Sequence, residues 1–151
     1  MPLEGVHERV EVAVEHVLDG RGLDVDAVAL VGRLGAGKTH LVRAVAEGLG
    51  VKNPAAVNSP TFVLIQEYPA RLPIYHFDAY RLSGPREFRE LGTDEYFHGD
   101  GVCLVEWADK VESTLPADHL RIEIEVVDEN RRRFHLRATG ERYQDLLTRL
   151  V

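Results

Sequence analysis

L-V-G-R-L-G-A-G-K-T-H-L, residues Leu30 to Leu41, places three glycines around a single lysine. The preceding run V-A-L-V, Val28 to Val31, is continuously apolar and predicts a central strand covered on both faces. After the glycines, Leu41, Val42, Val45, Ala46 and Leu49 recur at helical spacing until Gly50. The order is therefore strand, glycine-rich loop, helix. In that context G-R-L-G-A-G-K-T fits G-x-x-x-x-G-K-[ST] in full. Glycines let successive backbone N–H groups turn inward as an anion nest, and the helix directs its positive end at the same point. Lys38 can reach outer phosphates and the Thr39 hydroxyl can ligate Mg²⁺. The alternative, a plain turn with a solvated lysine, does not explain the flanking elements.

Working outward, helical spacing of Val6, Val10, Ala13, Val14, Val17 and Leu18 predicts a first helix, ended by Gly20 and Gly22. Residues 51 to 60 read as loop. Phe62 to Tyr68 and Ile74 to Asp78 read as strands, with a turn at P-A-R-L-P. A short helix is expected from Gly84 and Pro85 to Leu91, then a strand from Val102 to Glu106, then a helix from Ala108 to about Thr114. Leu120, Ile122, Ile124 and Val126 alternate with Arg121, Glu123 and Glu125; across D-E-N, Phe134, Leu136 and Ala138 alternate with Arg133, His135 and Arg137. That pattern predicts an antiparallel hairpin with one solvated face, with Glu and Arg rows opposed. Residues 141 to 150 read as a closing helix. The fold expected is α/β, three-layered and P-loop NTPase-like, with a mostly parallel central sheet extended by a C-terminal antiparallel hairpin. The whole chain, residues 1–151, is read as one domain.

Composition narrows the function classes. The net charge of -7 lacks the basic surplus of a free-standing nucleic-acid binder, so in an RNA pathway a partner would hold the RNA. The one cysteine, Cys103, excludes a disulfide framework and fits a cytoplasmic protein. The N-terminus is too charged for a signal peptide, and no apolar stretch approaches the roughly 20 residues that span a bilayer. Only Lys38, Lys52 and Lys110 are lysines, and Lys38's compact charge suits a tight nest better than an arginine fork.

A phosphate nest needs an acid for its metal and a group to position water. Asp78 and Glu106 each close an apolar strand, and ligands of open α/β sheets bind outside the carboxyl ends of strands. Both acids converge on the nest if their strands run parallel to Val28–Val31. V-N-S-P-T-F, residues 57 to 62, offers Thr61 as a γ-phosphate sensor, or is a simple turn. His76, in H-x-D, admits a metal reading, but a core histidine bonded within the sheet is expected. Trp107 either stacks on a base or partner or plugs the core. No nucleophilic triad is present, and Cys103 sits mid-strand.

G-R-L-G-A-G-K-T, V-N-S-P-T-F, H-F-D-A-Y-R-L and C-L-V-E-W, in this order and spacing, resemble the TsaE (YjeE) family of small bacterial P-loop ATPases. The resemblance implies an Mg²⁺-dependent ATPase, weak alone, that supports threonylcarbamoylation of adenosine 37 in tRNA within a complex with TsaD and TsaB. It would meet tRNA indirectly and no membrane. It implies Lys38, Asp78 and Glu106 as catalytic residues and Thr39, Asp78 and Glu106 as metal ligands. The implied nucleotide-binding set is Gly35, Ala36, Gly37, Lys38, Thr39, His40, Thr61 and Trp107. By analogy, the start of the first helix and the Arg131–Arg133 turn are candidates for the adenine pocket. Arg33 and His40 depart from the family's common Asp and Thr and bear on local contacts rather than on nucleotide binding. Two other readings stay open: a small-molecule kinase, which lacks an arginine-rich lid here, and a non-catalytic nucleotide-dependent interaction module. No N-K-x-D motif for reading guanine occurs.

Overall fold

The computed structural model describes residues 26–58 and 63–150. The first helix expected from Val6 to Leu18, and Thr61 with most of its loop, lie outside the described residues. Six strands form one sheet: β1 (Asp26–Val31), β2 (Ile65–Tyr68), β3 (Ile74–Asp78), β4 (Val102–Glu106), β5 (His119–Asp128) and β6 (Arg131–Thr139). Their spatial order is β2-β3-β4-β1-β5-β6. β1 pairs in parallel with both β4 and β5, and β3 pairs in parallel with β4. The two edge strands, β2 and β6, are antiparallel to their neighbours. The mostly parallel sheet with a C-terminal hairpin is thus observed.

Helices cover both faces, giving three layers. Helix α1 (Lys38–Gly48) buries Leu41, Val42, Val45 and Ala46 against Val28, Leu30, Leu104 and Ile122. On the other face lie α2 (Pro85–Glu90) and α3 (Thr93–Phe97). Their Phe88 and Phe97 pack with Phe77 over Ala27, Ala29 and Val105. The alternation explains the unbroken apolar run of β1: Val28 and Leu30 meet α1, while Ala27 and Ala29 make room for rings on the opposite side. Phe77 has edge-on contacts with Phe88 at 5.6 Å and Tyr96 at 5.5 Å, an arrangement favoured by the ring quadrupoles. α4 (Glu141–Leu150) closes the first face through Tyr143, whose hydroxyl accepts from the Ala27 N–H at 3.0 Å.

Three local expectations are corrected and one is refined. β2 begins at Ile65, leaving out the expected Val63 and Leu64, because Leu64 takes a left-handed φ of 67° that breaks the extended run; Phe62 lies outside the described residues. The helix opened by Pro85 stops at Gly92, which has φ 79°, and α3 follows, unanticipated. The expected helix Ala108–Thr114 is present, as a 3-10 segment kinked at Val111. In the hairpin only Glu125 faces Arg133; Glu123 faces His135 and Arg121 faces Arg137. Arg121 turns instead to Glu112 in the 3-10 segment, at 3.0 Å. Among the described residues, no helix is long and apolar enough to cross a membrane.

Candidate functional site

The loop between β1 and α1 is shaped by two different glycine demands. A Cβ on Gly32 would lie 2.9 Å from the Ile124 carbonyl oxygen and 3.1 Å from the Ala36 Cβ, so the loop packs tightly on β5. Gly37 has open space but φ 110°, which a side chain disfavours. That turn delivers Lys38 and Thr39 as the first residues of α1. The eleven-residue helix has no side-chain cap and no acid in its first turn. Its first N–H groups and its positive dipole end are therefore available to an anion.

Lys38 is only 5% exposed. Its ammonium donates to the Gly32 and Arg33 carbonyls, the latter at 3.0 Å, and lies 4.0 Å from the centroid of the Trp107 ring. Burial lowers its pKa from the usual lysine value; the nearby Glu106, Asp78 and Asp109 carboxylates oppose that shift. The charge is thus held in a confined place with acids close by, ready to exchange carbonyl partners for a stronger anionic one.

Because β3 and β4 are parallel neighbours, their terminal acids stand side by side: Asp78 is the register partner of Glu106. Both lie at the carboxyl ends, on the face that carries α1. The Thr39 hydroxyl donates to both Glu106 oxygens, at 2.9 and 3.0 Å. His76 Nε2 meets the same carboxylate at 2.5 Å. Asp78 is half-buried, and its Oδ1 accepts from the Tyr80 N–H at 2.9 Å, which turns the chain away after β3. The structure therefore brings Lys38, Thr39, Asp78 and Glu106 together, as the strand-end reasoning requires.

Trp107 follows Glu106 in a left-handed conformation, φ 58°. The kink swings its ring over the Lys38 ammonium and against Tyr80, 4.8 Å between centroids. It is half-buried, packing on one side against the core of Phe77, Ala108 and Val111 while its ring lies over the Lys38 ammonium. His40 lies on the exposed side of α1, while Gly35, Ala36 and Gly37 form the loop itself. Of the Arg131–Arg133 turn, only Arg132 touches the loop: its Nε donates to the Ala36 carbonyl at 3.2 Å. Arg131 pairs with Asp128 and Arg133 with Glu125.

Sequence reasoning missed two members of this neighbourhood, Tyr80 and Lys110, and named Arg132 only as part of the Arg131–Arg133 turn. Lys110 donates to the Tyr80 carbonyl at 2.7 Å and sits over the Tyr80 ring. All three contacts span long sequence separations, so no local pattern announces them.

The oxygen donors suit a hard cation. A Thr hydroxyl and two carboxylates match Mg²⁺, which keeps much of its own water and takes few protein ligands. Among the described residues no group of three or more His, Cys, Asp or Glu gathers as an all-protein metal cage.

The profile of the family described as "Threonylcarbamoyl adenosine biosynthesis protein TsaE" matches residues 7–134. A relative from Bacillus subtilis, named tRNA threonylcarbamoyladenosine biosynthesis protein TsaE, is 48% identical over 126 residues, covering 83% of this chain and 77% of the relative. One of the same name from Haemophilus influenzae is 43% identical over 105 residues, covering 69% of this chain and 65% of the relative. Among solved structures, the crystal structure of Bacillus subtilis YdiB superposes with a TM-score of 0.70 at 38% identity, covering 95% of this chain and 88% of that one.

Proposed function

As this chain belongs to the TsaE family of P-loop proteins, we infer that it binds ATP with Mg²⁺ and hydrolyses it in support of threonylcarbamoylation of adenosine 37 in tRNA. It acts in the cytoplasm as a subunit beside TsaD and TsaB, and it reaches tRNA through them. The observation that carries this reading is the meeting of Lys38, Thr39, Asp78 and Glu106 at one end of the parallel sheet.

The residues divide the work. Backbone N–H groups of Gly35 and Gly37 to Thr39 hold phosphate oxygens, the Ala36 N–H being held by the Arg33 carbonyl, with no side-chain cap competing for the start of α1. Lys38 leaves the loop carbonyls for the outer phosphates. Thr39, Asp78 and Glu106 supply the oxygens that would hold Mg²⁺, and the metal, when bound, neutralises charge across the outer phosphates. Glu106 is buried, tied at one oxygen to His76, and is the group placed to orient the attacking water. Trp107 walls the pocket beside Lys38. Thr61 belongs to this site by resemblance, as a sensor of the γ-phosphate. The acidic net charge of -7 fits a subunit that leaves RNA binding to its partners.

The test is phosphate release from ATP, measured for the full chain alone and with TsaD and TsaB homologues. Release that rises when both partners are added supports the reading. Transfer of labelled γ-phosphate to a metabolite would favour a kinase, and tight binding without release would favour a non-catalytic module.

A further inference from the structure

His76 is fully buried, 0% exposed, in the middle of β3. It shares a sheet face with Ile74 and Asp78, toward α1. Its Nε2 lies 2.5 Å from Glu106 Oε2, while its Nδ1 has no hydrogen-bond partner. This asymmetry selects one tautomer. A proton on Nε2 is donated to the carboxylate and leaves only a bare lone pair at Nδ1. The other tautomer would aim a lone pair at the carboxylate and orphan a buried N–H, the costlier arrangement. Glu106 is itself 3% exposed, so its carboxylate cannot borrow orientation from bulk water. Protein donors must set it, and among the described residues these are His76 and Thr39.

These two donors differ in kind. Thr39 is also a ligand candidate for Mg²⁺ and must release or share its hydroxyl when the metal arrives. The imidazole stands on a central strand, held between β2 and β4, where its register partners are Gln66 and Leu104. It is therefore the fixed reference for the carboxylate. We propose that His76 is the positioning residue for Glu106: its Nε2–H anchors one carboxylate oxygen, so that the other stays directed at the metal and water beside Thr39. The inference rests on the functional reading above and names a residue which that reading leaves without a role. Groups that orient a ligating or water-positioning carboxylate act through it, and their loss typically costs roughly 10–100-fold in metal affinity or activity.

Two substitutions separate positioning from packing. His76→Phe keeps a planar ring and removes the donor. His76→Gln keeps an N–H near the Nε2 position. The full chain of each variant, and the wild type, is titrated with ATP with and without Mg²⁺, following binding by calorimetry, and hydrolysis is measured alongside. In His76→Phe the gain in ATP affinity brought by Mg²⁺ is expected to shrink about tenfold and kcat to fall roughly 10–100-fold, with Mg²⁺-free ATP affinity unchanged. His76→Gln is expected to recover part of both losses. The inference is overturned if His76→Phe keeps the wild-type Mg²⁺ response and kcat. It is equally overturned if both variants lose Mg²⁺-free affinity in step with kcat, which marks His76 as packing alone. A wild type whose ATP binding ignores Mg²⁺ would instead sink the functional reading, and this inference with it.

Discussion

The ammonium of Lys38 lies 4.0 Å from the centroid of the Trp107 ring, with two loop carbonyls as its hydrogen-bond acceptors. Neither neighbour is adjacent in sequence; the left-handed backbone of Trp107 creates the contact. A cation over an indole face is a modest attraction, about 0.5–2 kcal/mol depending on burial. A polyphosphate should outcompete it, because charge-assisted bonds to phosphate are stronger.

Trp107 is the one tryptophan of the chain, so its emission reports on this event alone. Titration with ATP is expected to change its fluorescence in a saturable way as Lys38 is drawn off the ring. Lys38→Ala should lose that response together with nucleotide binding while staying folded, since the apolar core lies elsewhere. An emission spectrum unmoved by ATP, at concentrations where calorimetry records binding, would contradict this account.

The lowered pKa of Lys38 predicts a pH dependence of stability. Its cause is burial, only partly offset by Glu106, Asp78 and Asp109. Between the lowered folded value and the usual lysine value of 10.5, the unfolded chain binds the proton and the folded chain does not. Stability contributed at this position therefore rises with pH across that window and is lost as pH falls through the folded pKa. Urea unfolding of wild type and Lys38→Met should show the difference between them moving in the wild type's favour as pH rises toward 10.5. A pH-independent difference would mean that burial does not penalise the charge.

Glu106→Gln keeps the shape of a side chain that touches Thr39 and His76 and removes its charge. ATP binding through the loop and Lys38 should survive, and hydrolysis should fall by roughly 10²-fold or more if the carboxylate orients and activates water. Rapid-quench measurement of one turnover would separate the two effects. Equal loss of binding and turnover would make Glu106 a metal anchor first.

Two glycines in the same loop should fail in different ways. In Gly32→Ala the new methyl meets the Ile124 carbonyl at 2.9 Å, backbone that cannot swing aside. The loop must lift from β5, at about 1–3 kcal/mol. Gly37→Ala meets nothing within 4 Å and carries only the strain of φ 110°, about 1–2 kcal/mol. Thermal unfolding should show the larger loss for Gly32→Ala. Nucleotide affinity should fall in both, because each moves the N–H groups of the nest. A Gly32→Ala protein with wild-type stability would show that the loop is looser than its packing indicates.

Much of this was legible in the residues alone, for a physical reason: it depends on neighbours close in sequence. The unbroken apolar run of β1, the i, i+3, i+4 stripe of α1, the alternation of β5 and β6 and the glycines before Lys38 are local patterns with local causes. So is the placing of Asp78 and Glu106 at the ends of apolar strands. The misses have the same logic in reverse. α3 is five residues long, too short for a period, and Leu64 cuts β2 through a backbone angle that its side chain does not announce. The opposed Glu and Arg rows were expected along the whole hairpin. The register, irregular between Val126 and Asp128, instead sets Arg121 against Arg137.

What only the tertiary structure decided is which strands are neighbours. The order β2-β3-β4-β1-β5-β6 seats β3 beside β4, and that adjacency alone makes Asp78 and Glu106 a pair. It also joins His76 to Glu106 and Glu106 to Thr39, 30 and 67 residues apart in the chain. The amino-acid sequence determined the kinds of groups and the ends of the elements that carry them. Their convergence on Lys38 follows from packing two apolar faces of one sheet against helices, a requirement of the whole chain that no short stretch expresses.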